Sequence, residues 1–293
     1  MAEDVRLRKP KWLKTQLRSG PNFQDLKSIV EKLDVHTVCQ EALCPNISEC
    51  WERRAATIMI LGETCTRSCG FCAVKTGKPT WNDPLEPSRT AAAVKRMGLK
   101  HCVITSVDRD DLDDGGASIW AETIDAIHRE IPGCSVEVLT PDFKGKVDDI
   151  LTVLKSKPEI MSHNMETIRR LHWDVRPQAR YERSLAVLRQ SVEFGLQTKT
   201  SIMVGLGERN DEIFDLMRDV RQTGTQVFSL GQYLQPTVNH LPVRRYVTPD
   251  EFEAFKIFGY EIGFEYVESG PLVRSSYHAD EQIIKMEKKG VSK

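Results

Sequence analysis

A chain of 293 residues, 40% apolar and 28% charged, is long enough to bury a substantial core and has the balance of a globular enzyme, which excludes disorder, collagen and coiled coil as its main architecture. Its formal net charge of −1 supplies no basic field to draw it to nucleic acid or an anionic membrane. No apolar run reaches the roughly 18–20 residues that span a bilayer, so no membrane partner is expected. The first ten residues are charged and lack an apolar stretch, and Glu3 and Asp4 do not suit an acid-poor transit peptide; the expected location is cytoplasmic.

In chain order, residues 1–20 are basic and irregular and read as an arm (Arg6, Arg8, Lys9, Lys11, Lys14). Residues 24–43 are expected to be helical, from apolar positions 26, 29, 30 and 33. Six short apolar strands follow, at Thr57–Leu61, His101–Ser106, Ser135–Leu139, Glu159–Ser162, Thr198–Val204 and Val227–Leu230. Helical patterns fall near 88–97, 117–130, 146–155, 180–193, 210–222 and 250–261, with starts read at Ser88, Asp211 and Pro249-Asp250 and stops at Gly98 and Gly195. Strands alternating with helices predict an α/β fold with a parallel sheet. Six units suit an open, partial (β/α)6 barrel of TIM type. The expected division is an N-terminal extension over 1–56, the barrel over 57–235 and a C-terminal extension over 236–293. Active sites of such folds lie at the C-terminal ends of the strands. The tail, 285–290, is expected to fray.

Eight cysteines are present, and six of them fall between Cys39 and Cys72. Without a secretory signal such thiols stay reduced, and their clustering points to metal. Cys65, Cys69 and Cys72 have Cys-x3-Cys-x2-Cys spacing just after the first strand. Three thiolates hold three irons of a [4Fe-4S] cube and leave the fourth iron open. A structural zinc site wants four closed ligands, commonly from paired knuckles, and a lone triplet suits it poorly. Cys39, Cys44 and Cys50 form a second triplet with x4 and x5 spacing, again one ligand short of four. Cys102 and Cys134 lie in or beside apolar strands and read as small buried hydrophobes, and His163 reads as a hydrogen-bonded structural residue.

The Cys65 triplet resembles that of the radical S-adenosylmethionine (SAM) superfamily. That resemblance implies SAM on the open iron, with Phe71 inside the motif. Asn164-Met165-Glu166 resembles the ribose-contacting segment, which brings in Asn164 and Glu166. Ser201 to Glu208 resembles the Gly-x-Ile-x-Gly-x-x-Glu segment, with Ser201 and Gly205 as contacts, though Ser201 and Met203 depart from its pattern. Thr105 to Asp108 stands where the superfamily has its Gly-Gly-Glu strip, without the glycines. The aspartates of 108–111 read as a polar loop ordering the SAM pocket through salt bridges.

A more specific likeness runs from about residue 5 to 284. The second triplet, Gly62-Glu63-Thr64-Cys65-Thr66-Arg67-Ser68-Cys69-Gly70-Phe71-Cys72, the segment from Thr105 to Ala117, and Arg274-Ser275-Ser276-Tyr277 together resemble the lipoyl synthase family. The resemblance implies a second, auxiliary [4Fe-4S] cluster on Cys39, Cys44 and Cys50. Its fourth ligand would be a serine oxygen; Ser275 and Ser276 both match, and Ser276 is favoured. By themselves those serines read as a helix N-cap after Pro271.

The activity so implied inserts two sulfurs at carbons 6 and 8 of an octanoyl chain amide-linked to a lysine of a lipoyl carrier domain. SAM cleavage would give a 5′-deoxyadenosyl radical that takes a hydrogen from each carbon, and the auxiliary cluster would donate the sulfur. Implied partners are octanoylated 2-oxoacid dehydrogenase acyltransferase subunits and the glycine cleavage H protein. An electron donor such as flavodoxin or ferredoxin and an iron-sulfur carrier for cluster rebuilding complete the set. A biotin synthase or methylthiotransferase is disfavoured by the x4/x5 triplet. An RNA-binding iron or zinc protein is disfavoured by the neutral charge.

Overall fold

The structure, a computed structural model, describes residues 8–15, 20–279 and 281–282. Residues 1–7 of the arm and the tail at 285–290 lie outside the described residues. A single sheet organises the chain, with strands β1 (His36–Thr37), β2 (Thr57–Ile60), β3 (His101–Ser106), β4 (Ser135–Leu139), β5 (Ile160–Ser162), β6 (Gln197–Val204), β7 (Val227–Gln232) and β8 (Tyr266–Gly270) in linear order. β1 pairs antiparallel with β2, and every later pair is parallel. Six helices cross between successive parallel strands: Glu86–Met97, Ala117–Glu130, Val147–Lys155, Tyr181–Glu193, Asn210–Arg221 and Pro249–Glu261. No pairing joins β1 to β8 among the described residues, so the sheet is open.

The six expected strands are all present, and two further strands, β1 and β8, lie at the two edges of the sheet. The expected helix over 24–43 is corrected: it runs Pro21–Leu33 and stops at Asp34, which sits in the left-handed region at φ 50°. Val38–Glu41 is a separate short turn of helix capped by Thr37, which is how Cys39 leaves the helix axis. The expected start at Ser88 is also corrected. That helix begins at Glu86 with Pro87 in its first turn, where a missing N–H costs nothing. Thr248, one residue before the expected start, caps the last helix in a reciprocal box with Glu251.

Alternation along the strands divides the sheet into two unlike faces. Ile58, Ile60, Cys102, Ile104, Val136, Val138, Phe228 and Leu230 are buried in the apolar cores. The opposite face presents Thr57, Met59, Thr105, Glu137, Lys199, Ser201 and Gly231. On it Lys199 Nζ meets Glu137 Oε1 at 2.9 Å with both side chains about 1% exposed, and Ser162 donates to the same carboxylate at 3.0 Å. Burial would raise Glu137, but Lys199 and His101 hold it down at about 2. Apolar residues therefore glue the sheet to its helices, and the inner face is left free for chemistry.

His163 follows β5 and is buried. Its Nδ1 lies 2.9 Å from the Thr140 carbonyl, which can only accept, so Nδ1 carries the proton and Nε2 accepts from Ser184 Oγ at 2.9 Å. Burial, with Arg176 nearby, lowers this imidazole from 6.5 to about 4. A depressed histidine stabilises the fold above the unfolded value and loses that contribution as pH falls from 6.5 through 4, because the unfolded chain binds the extra proton. Urea unfolding of the metal-free protein should show about 2 kcal/mol less stability from this residue at pH 5 than at pH 7. A His163→Gln variant should show a correspondingly flatter dependence; an equal slope in both proteins would contradict this assignment.

Candidate metal and cofactor site

The segment carrying Cys65, Cys69 and Cys72 leaves β2 through Leu61 and Gly62, both at positive φ. It is tied down on three sides. Thr66 N–H donates to the Asp108 carbonyl at 2.9 Å, Gly70 N–H to Val175, and Leu241 N–H to Gly70. The Arg67 and Asp108 amides donate to Cys65 Sγ at 3.4 and 3.3 Å, which orients that sulfur. Arg67 is the hub beneath the segment. Its guanidinium pairs with Asp142 at 2.7 Å, which is fully buried, and with Asp110 at 2.8 Å and Asp108 at 3.2 Å, which are partly exposed. The expectation that the 108–111 loop works through salt bridges is met, with Arg109 paired to Asp111 as well.

Burial pushes Cys65 up to about 11 and Cys69 up to about 12, and raises Cys72. Asp108 and the neighbouring thiols add to the rise at Cys69, while Arg176 opposes it. In the second triplet burial and the charges of the other two thiols push Cys50 up to about 12. Burial and Cys44 push Cys39 up to about 11. Thiols that perturb one another are neighbours. Yet among the described residues no three cysteine, histidine or acidic side chains meet closely enough to hold a single metal ion.

The C-terminal extension folds back over the second triplet. Asn46 Nδ2 donates to the Leu272 carbonyl at 2.7 Å, and Tyr277 Oη donates to Glu49 at 3.1 Å. Gly231 of β7 makes this approach possible, because a Cβ there would lie 1.9 Å from the Val273 carbonyl oxygen. A small cavity is lined by all three of Cys39, Cys44 and Cys50 together with Thr57, Arg274 and Ser276. Ser275 does not line it. Ser276 Oγ is hydrogen-bonded to Thr57 Oγ1 at 2.8 Å, in place of the helix-capping contact that its sequence context suggested.

A second cavity of about 450 Å3 adjoins the first and shares Cys39, Cys44, Arg274 and Ser276 with it. Cys65, Cys69 and Cys72 open into the same space, as do Phe71, Thr105, Asn164, Glu166, Ser201 and Ser275. Gly205 is not on its wall. It stands at φ 104° just past β6, its N–H donating to Glu208, with the Arg245 carbonyl 2.6 Å from where a Cβ would fall. Asn164 Nδ2 donates to Glu166 at 2.9 Å, while Asn164 Oδ1 and Arg176 Nε are buried at the cavity without a protein partner. Unpaired buried polar atoms of this kind are costly unless a ligand completes them. A polar amino-acid-bearing nucleoside fits that requirement. Lys9 of the arm also reaches this cavity. Cys102 and Cys134 are buried away from both cavities, and His163 is held as the structural residue expected of it.

Sequence reasoning missed Arg67 as the hub, Arg176 and Thr57. Arg67 lies inside the quoted motif, but its partner Asp142 is remote in the chain.

Comparisons with known proteins agree with this geometry. The Radical SAM superfamily matches residues 59–220, and the N-terminal domain of lipoyl synthase of the radical SAM family matches residues 1–44. A lipoyl synthase of Rubrobacter xylanophilus is 59% identical over 276 residues, covering 94% of this chain and 86% of that protein. One from Thermus thermophilus is 54% identical over 95% of this chain and 87% of its own length. A mitochondrial lipoyl synthase of Nematostella vectensis is 50% identical over 94% of this chain and 95% of its own. Among solved structures, methylornithine synthase superposes with a TM-score of 0.54 at 11% identity, covering 95% of this chain and 94% of that one. SuiB of Streptococcus suis bound to S-adenosylmethionine gives 0.59 at 14% identity, covering 78% and 54%. Those two show the fold alone. From the matched regions and the identity along nearly its whole length, this chain belongs to the lipoyl synthase family of the radical SAM superfamily.

Proposed function

We propose that the two thiol triplets divide the family's reaction between them inside one cavity. That reaction is the SAM-dependent insertion of two sulfur atoms into a protein-bound octanoyl-lysine, which forms the lipoyl group. Cys65, Cys69 and Cys72 would hold a [4Fe-4S] cluster with one iron left for SAM; Cys39, Cys44 and Cys50 with Ser276 would hold a second. When bound, these groups supply the one-electron chemistry and the sulfur that unactivated carbon demands, since such carbon offers no acid–base handle. The observation that carries the reading is the shared cavity, whose wall includes thiols of both triplets.

The protein's own work is to hold, orient and exclude water. Arg67 and its carboxylates fix the first triplet. Phe71, Thr105, Asn164, Glu166 and Ser201 would contact SAM, and Arg176 Nε is free to meet a carboxylate. Val107, Leu139, Ile202 and Met203 give the cavity an apolar wall against which an alkyl chain can lie. The substrate is borne by a lipoyl carrier protein. Octanoylated 2-oxoacid dehydrogenase subunits and glycine cleavage H protein are the proposed carriers, with flavodoxin or ferredoxin as reductant and an iron-sulfur carrier for rebuilding. Among the described residues no helix is long and apolar enough to cross a membrane. We place the enzyme in the cytoplasm, with the chain divided at about residues 56 and 235.

The test is mass spectrometry of an octanoylated carrier domain incubated with reconstituted enzyme, SAM and dithionite. The expected product has gained two sulfurs with no net change in hydrogen, a thiol standing in place of one hydrogen at each carbon; SAM cleavage with an unchanged octanoyl chain would overturn the reading. Cys69→Ala should abolish 5′-deoxyadenosine formation while the second cluster still assembles, as counted by iron and sulfide. Undiminished SAM cleavage by that variant would remove the first triplet from its role.

A further inference from the structure

We propose that Thr57 is a positioning residue for the oxygen donor of the second triplet: its hydroxyl fixes the Ser276 side chain so that Oγ faces Cys39, Cys44 and Cys50. The inference rests on the reading of Ser276 given above. Thr57 opens β2 on the inner face, in step with Met59, and is about 4% exposed. Its Oγ1 lies 2.8 Å from Ser276 Oγ, a contact between residues 219 positions apart. It lines the same small cavity as the three thiols and Ser276.

The physical case is about freedom. A serine in a turn samples several staggered rotamers, and each costs order to fix. A rigid strand residue that hydrogen-bonds the oxygen selects one rotamer beforehand. The direction of the bond is then decided by chemistry. A serine oxygen that binds iron has given up its proton, so Thr57 is the donor, and a second lone pair of Ser276 Oγ stays free for the metal. Outer hydrogen bonds of this sort orient metal ligands and tune their hold.

The test uses the full chain with Cys65, Cys69 and Cys72 replaced by alanine, so that only the second triplet loads. The protein is reconstituted anaerobically, and iron release to a chelator is timed. The electron paramagnetic resonance signal of a three-iron cluster reports loss of one particular iron. Thr57→Val should release that iron about ten-fold faster, the scale of one lost hydrogen bond. Thr57→Ala should do the same without placing a methyl group beside the cavity, and Thr57→Ser should restore the original rate. Ser276→Ala, which removes the ligand itself, should be at least as fast as Thr57→Val, and the double variant should be no faster than Ser276→Ala, because Thr57 acts only through that oxygen. If Ser276→Ala is fast and both Thr57 variants are slow, the role of Thr57 is overturned and Ser276 keeps its own. If Ser276→Ala itself behaves as the parent protein, the oxygen ligand is wrong and Thr57 falls with it. A Thr57→Ser variant as fast as Thr57→Val would trace the effect to shape, not the hydroxyl, and also overturn the proposal.

Discussion

Replacing Cys39, Cys44 and Cys50 together with alanine is expected to abolish sulfur insertion to the detection limit while leaving SAM cleavage intact. The expectation rests on how separately the two triplets are supported. The first hangs on the loop after β2, braced by Asp108, Val175 and Leu241. The second sits on two short helices, Val38–Glu41 and Ile47–Glu52, and on the turn between them, which holds Cys44, and is covered by the segment after β8. Among the described residues, no backbone hydrogen bond that fixes the first triplet runs through Cys39, Cys44 or Cys50. The triple variant should therefore keep one cube, with about half the iron and sulfide of the parent, and still form 5′-deoxyadenosine. Reconstitution with labelled sulfide makes the claim sharper. In a single turnover in unlabelled medium the product of the parent enzyme should carry label in both sulfurs. Product with unlabelled sulfur alone would show that the second cluster is not the donor.

Much of this site was legible because its donors are neighbours in the chain. Each triplet spans a dozen residues or fewer, so spacing alone proposed a cluster, and the strand that leads into the first is a continuous apolar run. What spacing could not show is what packing brings together. Arg67 finds Asp108 and Asp110 on the loop after β3 and Asp142 on the loop after β4. Thr57 and Ser276 meet across the whole barrel. Gly231 reads as an unremarkable strand glycine until the Val273 carbonyl is seen pressed against it. β8 escaped the pattern search because only Tyr266 and Val267 are apolar before Glu268-Ser269-Gly270. The helix drawn over 24–43 ran too far because apolar spacing carries no sign of the left-handed turn at Asp34.

Arg67→Met is expected to destabilise the metal-free protein by about 3–5 kcal/mol at pH 7, because it strands buried carboxylates without their cation. The side chain of Arg67 is about 2% exposed and that of Asp142 is fully buried. Burial by itself would lower Arg67 and raise Asp142. The pair reverses both, and Arg67, with a smaller share from Arg183, holds Asp142 at about 2. An aspartate depressed below its unfolded value stabilises the fold above about pH 4 and loses that contribution only as pH falls toward 2. Without Arg67 the balance at Asp142 tips back to burial, the rise that burial already gives Asp108 grows, and mild acid should relieve the variant before it harms the parent. The stability gap between the two proteins should therefore narrow from pH 7 to pH 4.5, measured by urea unfolding at each pH. The contribution of His163 declines in both proteins over that range and largely cancels from the difference. A gap that stays constant with pH would mean that Arg67 acts through packing, and the hub would then not be electrostatic. The same variant should lose SAM cleavage, since Thr66 and the Cys65 sulfur are held by the backbone of the loop that Arg67 pins.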